Sequence, residues 1–387
     1  MPVRNRFAEL HDEITAWRRD FHENPELQFD VHRTAGIVAE KLREFGCDEV
    51  VTGIGQTGVV GIINGTSAGD RTVGLRADMD ALPIEEATGL EYASKVPGKM
   101  HACGHDGHTA MLLGAAKYLS ETRNFAGKVA VIFQPAEEGG GGGREMVNDG
   151  MMDRFGIDEV YGMHNWPGQP VGSFAIRPGV FFAATDVFEI DIVGRGGHGA
   201  KPHETADPTV AAAQIVTALQ TIASRNANPV RQIVVSVTSF ETSSTAFNVI
   251  PAEVHLKGTV RTLDPETHDL AEARLREITG GIAAAMGCEA KIDYLRNYPV
   301  MENAEEQTVY AADAAKKVTG DCDEAPLVMG GEDFAFMLNA RPGAYILVGN
   351  GDTAMVHNPE YNFNDDVIPA GCSWYVEMAE GRLPVAG

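Results

Sequence analysis

From Ala183 to about Tyr298 the sequence reads strand, helix, strand, strand, helix, strand: VFEIDIVG, DPTVAAAQIVTALQTIAS, QIVVSVTSF, EVHLKGTVR, a helical stretch from His268 to Met286, and EAKIDYLR. That order is the split βαβ, ferredoxin-like unit, and it is complete in itself. On either side the texture differs. GVVGIIN, TVGLRAD, KVAVIFQP and EVYGMHN precede it; a helix from Asn303, EDFAFMLNA, AYILVG and a last helix from Asp366 follow it. Strands alternating with helices indicate an α/β core. One α/β domain split by an insert accounts for the pattern better than three independent domains. The expected division is 1–182, an inserted domain 183–296, and 297–387.

At 387 residues the chain is long enough for two ordinary domains. A formal net charge of -24 argues against nucleic acid or an anionic membrane as partner, because both would repel it. The first twenty or so residues alternate charge with apolar side chains and read as helix rather than as a signal peptide. This helical pattern runs from Phe7 to about Phe45 and is broken by a turn at HENPEL, around Pro25. No apolar run approaches membrane-spanning length, and a cytoplasmic location is the expectation. The five cysteines, Cys47, Cys103, Cys288, Cys322 and Cys372, show no paired spacing and predict no disulfide framework.

Cys103 stands apart because of its neighbours. MHACGHDGHTAMLLGAA opens with three histidines, a cysteine and an aspartate and then reads as a buried helix. Side chains this costly to bury are rarely crowded unless a cation compensates them. Other polar residues fall just past predicted strands: Asp78 and Asp80, Glu137 and Glu138, His164, and, after a short loop, His357. In open α/β sheets ligands bind at the carboxyl ends of the strands, so these groups should converge. Thiolate and imidazole favour zinc or a later first-row ion, while carboxylates keep manganese, cobalt and nickel open. The donors exceed one tetrahedral site, and a pair of ions sharing a bridging ligand fits better. In an extended stretch the adjacent Glu137 and Glu138 would point to opposite sides, one to metal and one to water or substrate. The glycine run Gly139 to Gly143 lacks the Lys-Ser/Thr ending of a phosphate loop and follows two carboxylates, so nucleotide binding is rejected.

HENPELQF, GLRADMDALPIEE, MHACGHDGHTAMLLGAA, QPAEEGGGG, GMHNWPG, GRGGHGAKPHETADP, FNVIPAEVHLKGTVRT, GGEDFAFML and VHNPEYNFND resemble, in the same order, one family. It is the metal-dependent amidohydrolases that include hippurate hydrolases, N-acyl-amino-acid amidohydrolases (aminoacylases) and auxin-conjugate hydrolases, related to di-zinc aminopeptidases and carboxypeptidases. The resemblance implies a zinc-peptidase-like mixed sheet flanked by helices, with the ferredoxin-like insert acting as lid and dimerisation domain. It implies two divalent metal ions per subunit (Zn, Mn, Co or Ni), held by Cys103, His105, Glu138, His164 and His357, with Glu137 as general base. More distant relatives read His-x-Asp where this chain reads Asp78-x-Asp80, so Asp80 matches a carboxylate that orients a ligand. His198 matches a lid histidine that reaches the active site of a second subunit in a homodimer. Asn248 and Arg261 match binders of the substrate carboxylate. His101, Asp106 and His108 are expected to orient Cys103 and His105 or to cap the helix that follows, and Glu332 and Asp333 to line the cleft. The implied reaction is hydrolysis of the amide bond of an N-acyl-L-amino acid, with a di- or aminopeptidase activity at the same metal site as the alternative.

Overall fold

The computed structural model describes residues 3–385, which divide by their contacts into two units. The larger unit takes the chain up to Phe181, Glu302–Pro326 and the segment from Asp333 onwards; the smaller takes Phe182–Met301 and Leu327–Glu332.

The larger unit is built on an eight-stranded mixed sheet. Four neighbouring strands, Ala126–Gln134, Ser67–Asp78, Glu159–Pro167 and Gly343–Gly351, run parallel and form its middle. Each reads as a nearly continuous apolar run where it crosses the core, as strands covered on both faces must. Ser67–Asp78 shows the rule and its limit: it is exposed around Asp70 and buried from Thr72 onward. An antiparallel hairpin, Glu49–Ile54 and Gly58–Asn64, extends one edge. On the other side Phe174–Ile176 pairs antiparallel with Gly343–Gly351.

The helix His105–Thr122 packs against Val3–Glu23 and Ile368–Arg382. Every residue from His105 to Ala116 is buried, and the stretch from Ala110 to Ala116 is made only of apolar and small residues, as a helix enclosed on all sides there requires. Small residues let these helices approach closely, and a Cβ at Gly114 would lie 2.7 Å from Ile14 Cδ1 and 2.8 Å from Cys372 Sγ. No described helix is long and apolar enough to cross a membrane. All five cysteines are free.

The break at HENPEL comes later than the polar cluster suggests, because Val3–Glu23 carries His22 within its last turn. His22 is buried there, with Nδ1 2.8 Å from Asp106 Oδ2 and Nε2 3.3 Å from Glu86 Oε1. Arg18 adds ion pairs to Asp106 at 3.4 Å and to Asp365 at 2.7 Å. Burial alone would lower the His22 pKa, but Asp106 and Glu86 overcome it and raise it from 6.5 to about 9. A folded pKa above the unfolded one stabilises the fold fully below pH 6.5 and loses that contribution as pH rises through about 9. Urea unfolding of the wild type should therefore show stability falling by on the order of 3 kcal/mol across this window. His22→Gln should be less stable at pH 6 and lack that slope; a parallel pH dependence in the variant would refute the assignment.

The smaller unit is a four-stranded antiparallel sheet in the order Ile233–Thr242, Glu253–Thr262, Ala184–Val193, Glu289–Tyr298, which is the ferredoxin-like arrangement. Helices Pro208–Thr221 and Pro265–Ala285 pack on one face through a separate core that includes Phe188, Ile190, Ile215, Leu256 and Leu275. Each helix starts with an aspartate cap followed by proline. Asp207 Oδ1 accepts from Thr209 N at 2.8 Å and Asp264 Oδ1 from Thr267 N at 2.9 Å.

Candidate metal centre

The carboxyl ends of the parallel strands deliver the polar residues that the sequence places there. His164 lies near the end of Glu159–Pro167, Asp80 follows Ser67–Asp78, Glu137 and Glu138 follow Ala126–Gln134, and His357 follows Gly343–Gly351. Cys103 and His105 flank Gly104, the residue before the helix His105–Thr122. Gly104 has φ 85°, and a side chain there would collide with Asn165 and Tyr361. His357 has φ 65°, a costly conformation for a histidine, fixed by its N–H donating to Ala102 O at 2.7 Å.

The donor atoms of Cys103, His105 and His164 lie within 4.8 Å of one another, as do those of Cys103, Glu138 and His357, and those of His105, Glu137 and Glu138. Cys103 Sγ is 3.4 Å from His164 Nε2, and His357 Nε2 is 3.2 Å from Glu138 Oε1. His164 Nδ1 donates to Asn165 O at 2.6 Å, which leaves Nε2 with its lone pair facing the cluster. Both ring nitrogens of His105 are buried and have no hydrogen-bond partner. An imidazole so placed, among a thiol and carboxylates, fits divalent ions of the first transition row.

One expectation about the acidic pair is corrected. Glu137 and Glu138 sit in a turn rather than an extended stretch, so their carboxylates reach the same cluster instead of opposite sides. The cause is Asp80, whose carboxylate accepts the backbone N–H of Glu137 at 2.9 Å and that of Glu138 at 3.1 Å and curls the chain around itself. Asp80 Oδ1 also lies 3.5 Å from His105 Nδ1.

The charges in the cluster shape one another. Burial would strip His105 of its proton, but Asp78, Asp80 and Glu138 raise its pKa to about 10. Burial and the carboxylates of Glu138, Glu137 and Asp78 push the Cys103 thiol well above its usual range. Burial opposes ionisation of Glu138 too, yet His357 and His105 lower its pKa. Burial, reinforced by His108, holds His164 neutral. Positive charge is what this cluster attracts.

One further expectation is corrected. Asp106 does not cap the helix; no side chain does, and its carboxylate turns to His22 and Arg18. Asp333 is buried, accepting from Gln134 Nε2 at 2.7 Å and Gly143 N at 2.8 Å and pairing with Arg76 at 3.1 Å, and it keeps a carboxylate oxygen within 4.8 Å of one of Glu137. Glu332 is buried as well. His101 is buried with both ring nitrogens unpartnered, and burial lowers its pKa to about 3.

Several residues of the site had no place in the motif reading. Arg76 is buried and holds Asp78 Oδ2 at 2.8 Å as well as Asp333. Asn165 donates through Nδ2 to Cys103 O at 2.6 Å and accepts from Tyr361 OH at 2.7 Å. The available signals were a charged residue inside the apolar run TVGLRAD and a polar amide directly after His164.

The smaller unit holds His198, Asn248 and Arg261. His198 is exposed and pairs with Val249, and Gly199 N donates to Asn248 O at 2.7 Å, so His198 and Asn248 share one end of the unit. Ala200 N–H lies 3.0 Å from His198 Nδ1, which must accept; the proton of the neutral ring is therefore on Nε2. Arg261 is half-buried on Glu253–Thr262, with Nε donating to Thr259 Oγ1 at 3.2 Å. Burial lowers its pKa, and no described carboxylate forms an ion pair with it.

Comparison with known proteins agrees with this geometry. Residues 74–381 match Peptidase family M20/M25/M40. The chain is 44% identical to a hippurate hydrolase of Campylobacter jejuni over 375 residues, 96% of this chain and 97% of the relative. It is 40% identical to an N-acetyl-L-cysteine deacetylase of Bacillus subtilis, over 97% of this chain and 89% of the relative. Among solved structures it superimposes on a dinuclear metal-binding peptidase of the M20 family from Bacillus subtilis with a TM-score of 0.83 and 34% identity, covering 98% of this chain and 100% of that one. With the donor cluster in place at the strand ends, this chain belongs to Peptidase family M20/M25/M40.

Proposed function

We propose that this amidohydrolase, which cleaves N-acyl-L-amino acids to a carboxylic acid and a free amino acid, works with a pair of divalent ions held by Cys103, His105, Glu138, His164 and His357. The observation that carries the reading is the convergence of these donors beside a buried His105 whose two ring nitrogens make no hydrogen bond within the protein. Bound divalent ions supply Lewis acidity, lowering the pKa of a water and polarising the acyl carbonyl.

Glu137 is the general base. It takes the proton of the attacking water and passes it to the leaving amine, so no covalent enzyme intermediate is needed. Asp80 anchors the turn that carries it. The Nε2–H of His198, supplied by the second subunit of a homodimer, donates to the tetrahedral oxyanion. Arg261, which forms no ion pair among the described residues, and Asn248 take the substrate carboxylate. The ferredoxin-like insert is the lid and dimerisation domain, and the enzyme is cytoplasmic.

The test is release of free amino acid from a panel of N-acetyl, N-benzoyl and N-indole-acetyl amino acids and simple dipeptides, using chelator-stripped enzyme before and after addition of Zn, Mn, Co or Ni. The expected result is at least about 100-fold restoration by metal, confined to the N-acyl amino acids. Hydrolysis of dipeptides alone would replace this reading with a peptidase.

A further inference from the structure

His108 belongs to the same helix turn as His105 but not to the proposed ligand set. It is buried, and both of its ring nitrogens are engaged. Nε2 lies 2.9 Å from the backbone N of Asn165, and a backbone amide can only donate, so Nε2 accepts. The ring proton then sits on Nδ1 and donates to Asp78 Oδ1 at 2.6 Å. Asp78 Oδ2 is held by Arg76 at 2.8 Å, so both oxygens of this carboxylate are committed within the protein.

The consequences reach two donors. Asn165, fixed by His108 through its backbone N–H, follows His164, and its O accepts from His164 Nδ1 at 2.6 Å. Its Nδ2 donates to Cys103 O at 2.6 Å. The His108 and His164 rings also meet edge to face, with centroids 4.7 Å apart. A single chain of contacts thus runs from Arg76 through Asp78 and His108 to the backbones that carry His164 and Cys103.

From this we infer that His108 is a positioning residue, anchored by Asp78 rather than by metal, which sets the angle at which His164 and Cys103 present their donor atoms. The inference rests on the ligand set proposed above.

Two near-isosteric substitutions separate the two ends of His108. In H108N the side-chain amide can still donate to Asp78 but falls short of Asn165. In H108Q the amide oxygen reaches the Asn165 N–H. Co(II) titration of chelator-stripped protein, followed by the thiolate-to-cobalt absorption of Cys103, reads the donor geometry directly and without substrate. The expected result is a Co(II) dissociation constant raised about 10- to 100-fold in H108N with an altered thiolate band, and a value within about threefold of wild type in H108Q. Thermal melts of the ion-free proteins check that both fold. Wild-type affinity and spectrum in H108N would overturn the inference, and equal weakening in both variants would reduce His108 to packing. Wild-type protein that bound no Co(II) would overturn the proposed metal centre itself, and the inference with it.

Discussion

Glu137→Gln is expected to lower kcat on an N-acyl amino acid by about 10³-fold while leaving metal content unchanged. Glutamine fills the same volume but cannot accept a proton at neutral pH. The turn that holds it survives, because Asp80 binds the backbone N–H groups of residues 137 and 138 and not the Glu137 side chain. The five proposed ligands also remain. Parallel measurements of turnover and of metal per subunit decide the matter. Loss of metal would make Glu137 a ligand, and retained turnover would move the base elsewhere.

Arg76→Met should destabilise the protein by about 4 kcal/mol in urea unfolding, the largest single effect expected outside the chemistry. Arg76 is wholly buried and bridges Asp78 and Asp333, and it also donates to Gln134 Oε1 at 3.0 Å and to Tyr345 OH at 3.3 Å. Methionine replaces much of the bulk but leaves two buried carboxylates without their shared cation. Adding Asp333→Asn should recover part of the loss, since one of the stranded charges is then removed. A loss below about 1 kcal/mol in the single variant would mean that water or protonation compensates these acids, and that Arg76 is not the centre of the network.

The order of the elements and the residues at the strand ends were legible because each rests on a local pattern. The apolar runs mark the parallel strands, and His164 and the Glu137–Glu138 pair lie beside them in the sequence. The conformation at the site was not legible. Glu137 and Glu138 look like an extended pair until Asp80, remote in sequence, draws both amides onto one carboxylate. Asp106 looks like a helix cap until His22 and Arg18, more than 80 residues earlier, claim it. Arg76 reaches Asp333, and Asn165 reaches Cys103 and Tyr361, across separations that no spacing rule connects. Buried polar networks are set by tertiary contacts, and a single sequence records their members without their pairings.

The order in which the ligands occur along the chain has a consequence for biosynthesis. His164 is made before the insert and His357 after it, and the strand Gly343–Gly351, which borders Glu159–Pro167, is also made late. The Glu159–Pro167 edge of the large sheet must therefore wait through more than a hundred residues of synthesis, during which the insert, with its own core, can fold from contacts already translated. A nascent chain emerging from the ribosome carries Cys103, His105, Glu138 and His164 but lacks the last of the five proposed ligands until His357 appears. Completion of the proposed ligand set is thereby tied to near-completion of the polypeptide, and truncated chains would present a thiol and carboxylates without the last imidazole.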